Sequence, residues 1–250
     1  MPLQIVLFSP GTMKPLQSSS LLALLLIVAS STSQALQPQE ATYINAQQIP
    51  LGTLLAPPPA DGAPAQQADL AAVLQVQSSR TPEQVERAKA DIVKSVFRFA
   101  DVLGPTFNEA NLPKTAALFR AASEDAALIA KSGKQSFKRA RPFVASSEVH
   151  PTVPGKQSDA YDSYPSGHAT FGYMSAILLA QMVPEKRGAL FARGREYGEN
   201  RVVDGVHYPS DVEAGRIDGT LVAAALMASP EFQKAFAAAR AEVRAALALE

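Results

Sequence analysis

At 250 residues, with 47% hydrophobic and 18% charged content, the chain is long enough to bury a sizeable core as one domain with appendages. Lysine plus arginine equals aspartate plus glutamate at 23 each, so no overall field draws it to nucleic acid or to an anionic membrane, and an anion site has to be assembled locally. It has no cysteine, which excludes a disulfide framework, a thiolate nucleophile and cysteine metal ligation.

In residues 1–35 the only charged residue is Lys14; an apolar stretch from Leu21 to Ala29 follows, then Ser33-Gln34-Ala35, a small-x-small cleavage pattern. Residues 1–35 are therefore expected to be a secretory signal peptide cleaved near Ala35, leaving a periplasmic or secreted protein. Nine apolar residues fall short of the roughly 20 that a membrane anchor needs. Met13, followed by Lys14, is a more natural start than Met1. Later apolar runs such as Leu221 to Ala228 are also short, so no membrane-spanning helix is expected.

Residues 36–67 are rich in proline, glutamine and alanine and lack a sustained period, which predicts an extended arm before a helical domain over 68–250. Thr81-Pro82-Glu83-Gln84 reads as a capping box opening a helix that runs to about Leu103, where Gly104-Pro105 stops it. A second, alanine-rich helix opens near Asn111 or Pro113 and reaches the Lys134 region. Phe143 to Tyr164 reads as a long loop. Further helices are expected from Ser166 or Gly167 to Pro184, from Glu185 to about Asn200, and from Ser210 to about Met227. A last one is announced by Ser229-Pro230-Glu231, with Phe232, Phe236, Val243 and Leu247 as its buried stripe. Strand signals are nearly absent, so the fold class is all-α.

Three polar clusters interrupt this pattern. Lys134 and Arg141 are two helical turns apart, so on a helix both cations can leave one face and grip one anion. Lys131, Lys138 and Arg139 extend the same run, which is also what a solvated basic face looks like. In Pro165-Ser166-Gly167-His168, a serine and glycine at a helix start offer unpaired N–H groups and a positive dipole end to an oxyanion, and His168 can deliver a proton beside it. An ordinary helix cap has the same sequence. Arg201, His207 and Asp211 add a cation, an imidazole, and a carboxylate that can fix its tautomer and make it a nucleophile; a local structural pair is the alternative. His150 fits no cluster and is expected at the surface. Together the clusters meet the needs of metal-free phosphoryl transfer: three cations, a backbone nest, a nucleophile, an acid and an orienting carboxylate.

Lys134-x6-Arg141-Pro142, Pro165-Ser166-Gly167-His168 and Arg201-x5-His207-x3-Asp211 resemble the three-part signature of the phosphatidic acid phosphatase type 2 and vanadium haloperoxidase superfamily. Ser163-Tyr164, Leu54-Leu55 with the proline run, and the leader resemble its class A bacterial non-specific acid phosphatases. Asn200 stands where the pattern opens with serine; Asp162 and Ala169 stand where it has glycine and threonine. The resemblance implies a single-domain helical bundle hydrolysing small-molecule phosphate monoesters through a phosphohistidine, with phosphotransfer to alcohols as a side activity. Lys134, Arg141, Ser166, Gly167 and Arg201 would hold the phosphoryl oxygens, His207 would attack, His168 would protonate the leaving alcohol, and Asp211 would support His207. It implies no cofactor, vanadate as an inhibiting phosphate analogue, no nucleic-acid partner, and a homodimer. A vanadate-dependent haloperoxidase and a non-catalytic exported phosphate-binding module are the competing readings.

Overall fold

The computed structural model describes Gly11, residues 41–155 and residues 157–250; the leader, its cleavage point and the start at Met13 lie outside the described residues. Among the described residues there are ten α-helices and no strand: α1 (Leu51–Leu54), α2 (Pro64–Ser79), α3 (Pro82–Ala90), α4 (Ala100–Leu103), α5 (Pro113–Phe137), α6 (Pro142–Ala145), α7 (Gly167–Met182), α8 (Arg187–Val203), α9 (Pro209–Ala228) and α10 (Pro230–Ala246). The all-α expectation holds, and no described helix is long and apolar enough to cross a membrane.

α7 is the centre of the bundle. Its buried residues lie on every face, from Phe171 and Met174 to Leu178 and Met182, as expected of a helix wrapped by others. It packs chiefly on α8 and α9, while α5 packs on α10, α1 and α7. Glycines set the closest approaches. A Cβ at Gly215 would lie 2.5 Å from the Ser166 carbonyl oxygen, and one at Gly219 would lie 2.5 Å from that of Thr170. The α9 backbone is thereby seated against the first turns of α7, where the second and third sequence clusters meet.

Several local signals act as their sequence implies. Thr81 and Gln84 form the capping box, Gly104 ends α4 with φ 99°, and the Ser166 and Ser229 side chains cap α7 and α10. Phe232, Phe236 and Val243 are buried, with Leu247 packed against them.

Four expectations of element placement need correction. The loop expected over Phe143 to Tyr164 begins inside α6 and holds a 3-10 turn over Gln157–Asp159. The arm assigned to residues 36–67 contains α1, and its last residues belong to α2, which opens at Pro64. Alanine and glutamine form a helix there without an apolar stripe, held by buried Gln66, Asp69 and Val73. The arm also lies on the domain through Asp125, whose carboxylate accepts the Thr42, Tyr43 and Ile44 amides at 2.7, 2.7 and 3.1 Å. The helix expected from Pro82 to Leu103 breaks after Ala90, because Asp91, fully buried, turns inward. It accepts from Arg193 at 2.6 and 2.8 Å, Arg98 at 3.0 Å and Asn200 at 2.8 Å. The helix expected from Glu185 begins at Arg187, after a 3-10 turn over Pro184–Lys186, and continues past Asn200 to Val203.

Asp91→Ala leaves the buried Arg193 guanidinium without its bidentate partner, and is expected to lower unfolding free energy by about 3–5 kcal/mol in urea titration. A loss below about 1 kcal/mol would mean that Asp101 and Glu196, also beside Arg193, satisfy it alone.

Candidate active site

Arg141, His168, Arg201 and His207 line one cavity of about 300 Å³. The α7 N-terminus, the last turn of α8, the loop between α8 and α9, and the segment after α5 bring them there. Lys134 comes from α5, but Arg141 does not. α5 stops at Phe137 with Lys138 left-handed at φ 49°, so Arg141 is the N-cap of α6. The single helical face expected for Lys134 and Arg141 is therefore replaced by a turn that brings Arg141 back over the cavity. Lys131 and Lys138 are exposed and form the solvated face.

His207 is 1% exposed. Its Nδ1 lies 3.3 Å from Asp211 Oδ2, and Arg141 Nη1, 3.1 Å away, donates to Nε2. A carboxylate on one nitrogen and a cationic donor on the other select the tautomer with the proton on Nδ1 and the lone pair on Nε2. Burial, with Arg141, Lys134 and Arg201 nearby, holds the ring well below the ordinary imidazole range, so it is neutral. Asp211 is fully buried and accepts Tyr208 N at 2.9 Å, Ser163 Oγ at 2.6 Å and Arg139 Nη1 at 2.6 Å in addition to His207. Burial raises its carboxyl to about 6 despite these donors.

His168 sits in the first turn of α7 and donates from Nε2 to the Ile92 carbonyl at 3.0 Å. Burial, then Arg201, lowers its pKa well below the usual value. The broken stretch after α3 supplies that carbonyl, and Tyr197 Oη holds the neighbouring Val93 carbonyl. Asn200, one departure from the family pattern, thus anchors Asp91 and with it the turn that orients His168. A second departure, Ala169, is buried between Gly198 and Gly215, whose built Cβ atoms would stand 3.1 and 2.7 Å from its own. The third, Asp162, offers its backbone carbonyl to Lys134.

Lys134 is lowered to about 8 by burial and by Arg141. Arg201 is 7% exposed; Asp204 holds one end of its guanidinium, and Nε has no partner among the described residues. Ser166 is fully buried and its Oγ accepts the Ala169 amide, so the cap reading of this serine is realised. Gly167 faces open space: a Cβ there would meet nothing within 4 Å. His150 is exposed and does not line the cavity.

Sequence reasoning missed Ser163 and Arg139 as neighbours of Asp211, Asp204 as the tether of Arg201, and Lys94, whose charge is felt at His168 and Lys134. Arg139 carried no signal of its own: in the sequence it is one more residue of the basic run that holds Lys131 and Lys138.

The family model of the PAP2 superfamily matches residues 116–235. A non-specific acid phosphatase of Providencia stuartii is 34% identical over 206 residues, 79% of this chain and 82% of that protein. One of Salmonella typhimurium is 32% identical over 229 residues, 87% of this chain and 89% of that protein. Among solved structures, a bacterial vanadium-dependent iodoperoxidase shares the fold at a TM-score of 0.52 and 18% identity, over 72% of this chain and 53% of that one. By sequence over most of its length and by fold, the chain belongs to the PAP2 superfamily and, within it, groups with the non-specific acid phosphatases.

Proposed function

We propose that the protein is an exported, metal-independent phosphatase that hydrolyses small-molecule phosphate monoesters through a phosphohistidine on His207. The observation that carries this reading is the neutral, buried imidazole of His207, with Nδ1 turned to Asp211 and Nε2 among Arg141, Arg201 and Lys134.

The three cations and the amides at Gly167 hold the phosphoryl oxygens, and Arg141 gives up its contact with Nε2 as the group arrives. Nε2 attacks phosphorus, the P–O bond to the alcohol breaks, and His168 gives its proton to the departing oxygen. Water then attacks phosphorus and loses a proton to His168, and the P–N bond breaks to return phosphate and neutral His207. Nε2 of His168 is held by Ile92, so Nδ1 is the nitrogen left to carry that proton. Ile92, Phe143, Val153 and Pro154 give the cavity an apolar wall, which suits an alcohol with an apolar face.

The purified protein is expected to release phosphate from p-nitrophenyl phosphate equally well with and without EDTA, and to be inhibited by vanadate. Activity lost to EDTA and restored by a divalent metal would refute a metal-independent mechanism.

The pH profile tests the pairing of Asp211 with His168. In the free enzyme kcat/KM needs Asp211 ionised and His168 protonated; with Asp211 raised to about 6 and His168 lowered well below the ordinary imidazole range, the optimum should lie below about pH 6, with a fall on either side that belongs to the pair. Bound phosphoryl dianion favours the imidazolium, so the alkaline limb of kcat should lie at higher pH than that of kcat/KM. Alkaline limbs that coincide, or that survive in His168→Ala, would assign the acid to another group.

A further inference from the structure

The catalytic carboxylate faces a difficulty that none of the three sequence clusters resolves. Asp211 must be ionised to take a hydrogen bond from His207 Nδ1, yet it is fully buried, and burial favours its neutral form. A cation outside the three clusters stands directly behind it. Arg139 is 5% exposed and donates from Nη1 to Asp211 Oδ1 at 2.6 Å and to Ser210 Oγ at 2.7 Å. Its Nη2 donates to Asp69 Oδ2 at 2.8 Å and to Gln66 Oε1, both on α2. The guanidinium lies over the Tyr208 ring, 4.1 Å from its centroid. Asp69 also accepts the Ser210 amide at 3.3 Å and the Ser210 hydroxyl, closing the ring of contacts.

From this geometry we infer that Arg139 is a positioning residue for the reaction: clamped by Gln66 and Asp69, it holds Asp211 ionised and turned toward His207 Nδ1. The inference rests on the phosphatase reading of the site and extends it to α2, which precedes the residues matched by the family model. Arg139 reaches neither the cavity lining nor the phosphate cations, so it acts only through Asp211. The other charged or titratable groups whose fields act with Asp211 are Lys134, Arg141, Tyr164, Tyr208 and His207. None of the first three donates to its carboxylate. Four donors meet the two carboxylate oxygens, and a hydrogen-bonded cation is the only one of them that also supplies full charge.

The test uses the whole protein and its three histidines, few enough to resolve one by one in long-range proton–nitrogen spectra. In wild type the His207 ring should appear as the Nδ1–H tautomer. In Arg139→Gln it should become mixed, and the pH optimum of kcat/KM should move to higher pH, since Asp211 then protonates more readily. kcat should fall about 10- to 100-fold, the range for an orienting partner one step behind the reacting group. The inhibition constant of inorganic phosphate should stay within about 3-fold, because Lys134, Arg141 and Arg201 are untouched. Arg139→Lys, which keeps the charge and loses the fork, should restore the tautomer and the pH optimum with part of the lost kcat. If Arg139→Gln does not fold, Arg139→Lys decides: a lowered kcat at unchanged phosphate inhibition supports the role, and wild-type kcat overturns it. An unchanged His207 tautomer with an unmoved pH optimum in Arg139→Gln also overturns it. A wild type that turns over no ester, yet shows the tautomer shift on substitution, would refute the phosphatase reading and leave the Arg139–Asp211–His207 coupling standing.

Discussion

His207→Ala is expected to lower kcat for p-nitrophenyl phosphate by roughly 10⁴-fold or more, the scale seen when a covalent nucleophile is removed from a site whose parts act as a unit. Binding should survive. The cations belong to other elements: Lys134 to α5, Arg141 to the start of α6 and Arg201 to α8. The variant should therefore bind inorganic phosphate with an affinity within several-fold of wild type, and the loss should fall on kcat rather than KM. Rapid acid quench of the wild type with labelled substrate should trap a phosphoenzyme that is acid-labile, as phosphoramidates are, and absent from His207→Ala. His168→Ala should still form it, most readily from esters whose alcohol leaves without a proton. A His207→Ala protein with more than about a tenth of wild-type kcat would exclude covalent catalysis at this residue. A non-catalytic phosphate-binding module predicts no turnover in the wild type at all, so the same measurement separates that reading.

The parts of the molecule legible in the sequence are those whose causes are local. Thr81 with Gln84, Gly104, Ser166 and Ser229 announce helix ends through contacts within four residues, and each acts as expected. His207 and Asp211 are one helical turn apart across the start of α9, so their pairing needed no tertiary information. The break at Asp91 was hidden because its cause lies about a hundred residues away, in Arg193 and Asn200. α2 was hidden because alanine and glutamine carry no apolar period, and its anchors, Gln66 and Asp69, matter only once Arg139 arrives. Lys134 and Arg141 do come near each other, but for a reason opposite to the helical spacing: the helix ends between them. Arg139 was indistinguishable from Lys131 and Lys138 in a basic run, since burial and not residue type separates a charge that works from one that is solvated.

Asp211→Asn is expected to cost about 10³- to 10⁴-fold in kcat, the penalty for a carboxylate whose loss leaves an imidazole in the wrong tautomer. All the groups around this side chain donate: His207 Nδ1, Tyr208 N, Ser163 Oγ and Arg139 Nη1. An asparagine amide brings its own N–H groups into that ring of donors, and the simplest relief is for His207 to move its proton to Nε2. That removes the lone pair that attacks phosphorus. The pH dependence of stability should respond as well. The folded-state pKa of Asp211 is raised to about 6, so the fold favours the neutral carboxyl. What that group contributes is fully present at low pH and is lost as pH rises through its folded value. Asparagine does not titrate, so the variant carries a pH-independent cost for the buried Arg139 guanidinium that loses its carboxylate, while its unfolding temperature relative to wild type should rise as pH increases from about 5 to 7. Loss of kcat together with that relative gain marks a residue held ionised for chemistry against the preference of the fold. A difference in unfolding temperature that is the same at about pH 5 and about pH 7 would show that Asp211 serves as a packing anchor for Arg139, and the orienting role would have to pass to another acceptor of the His207 proton.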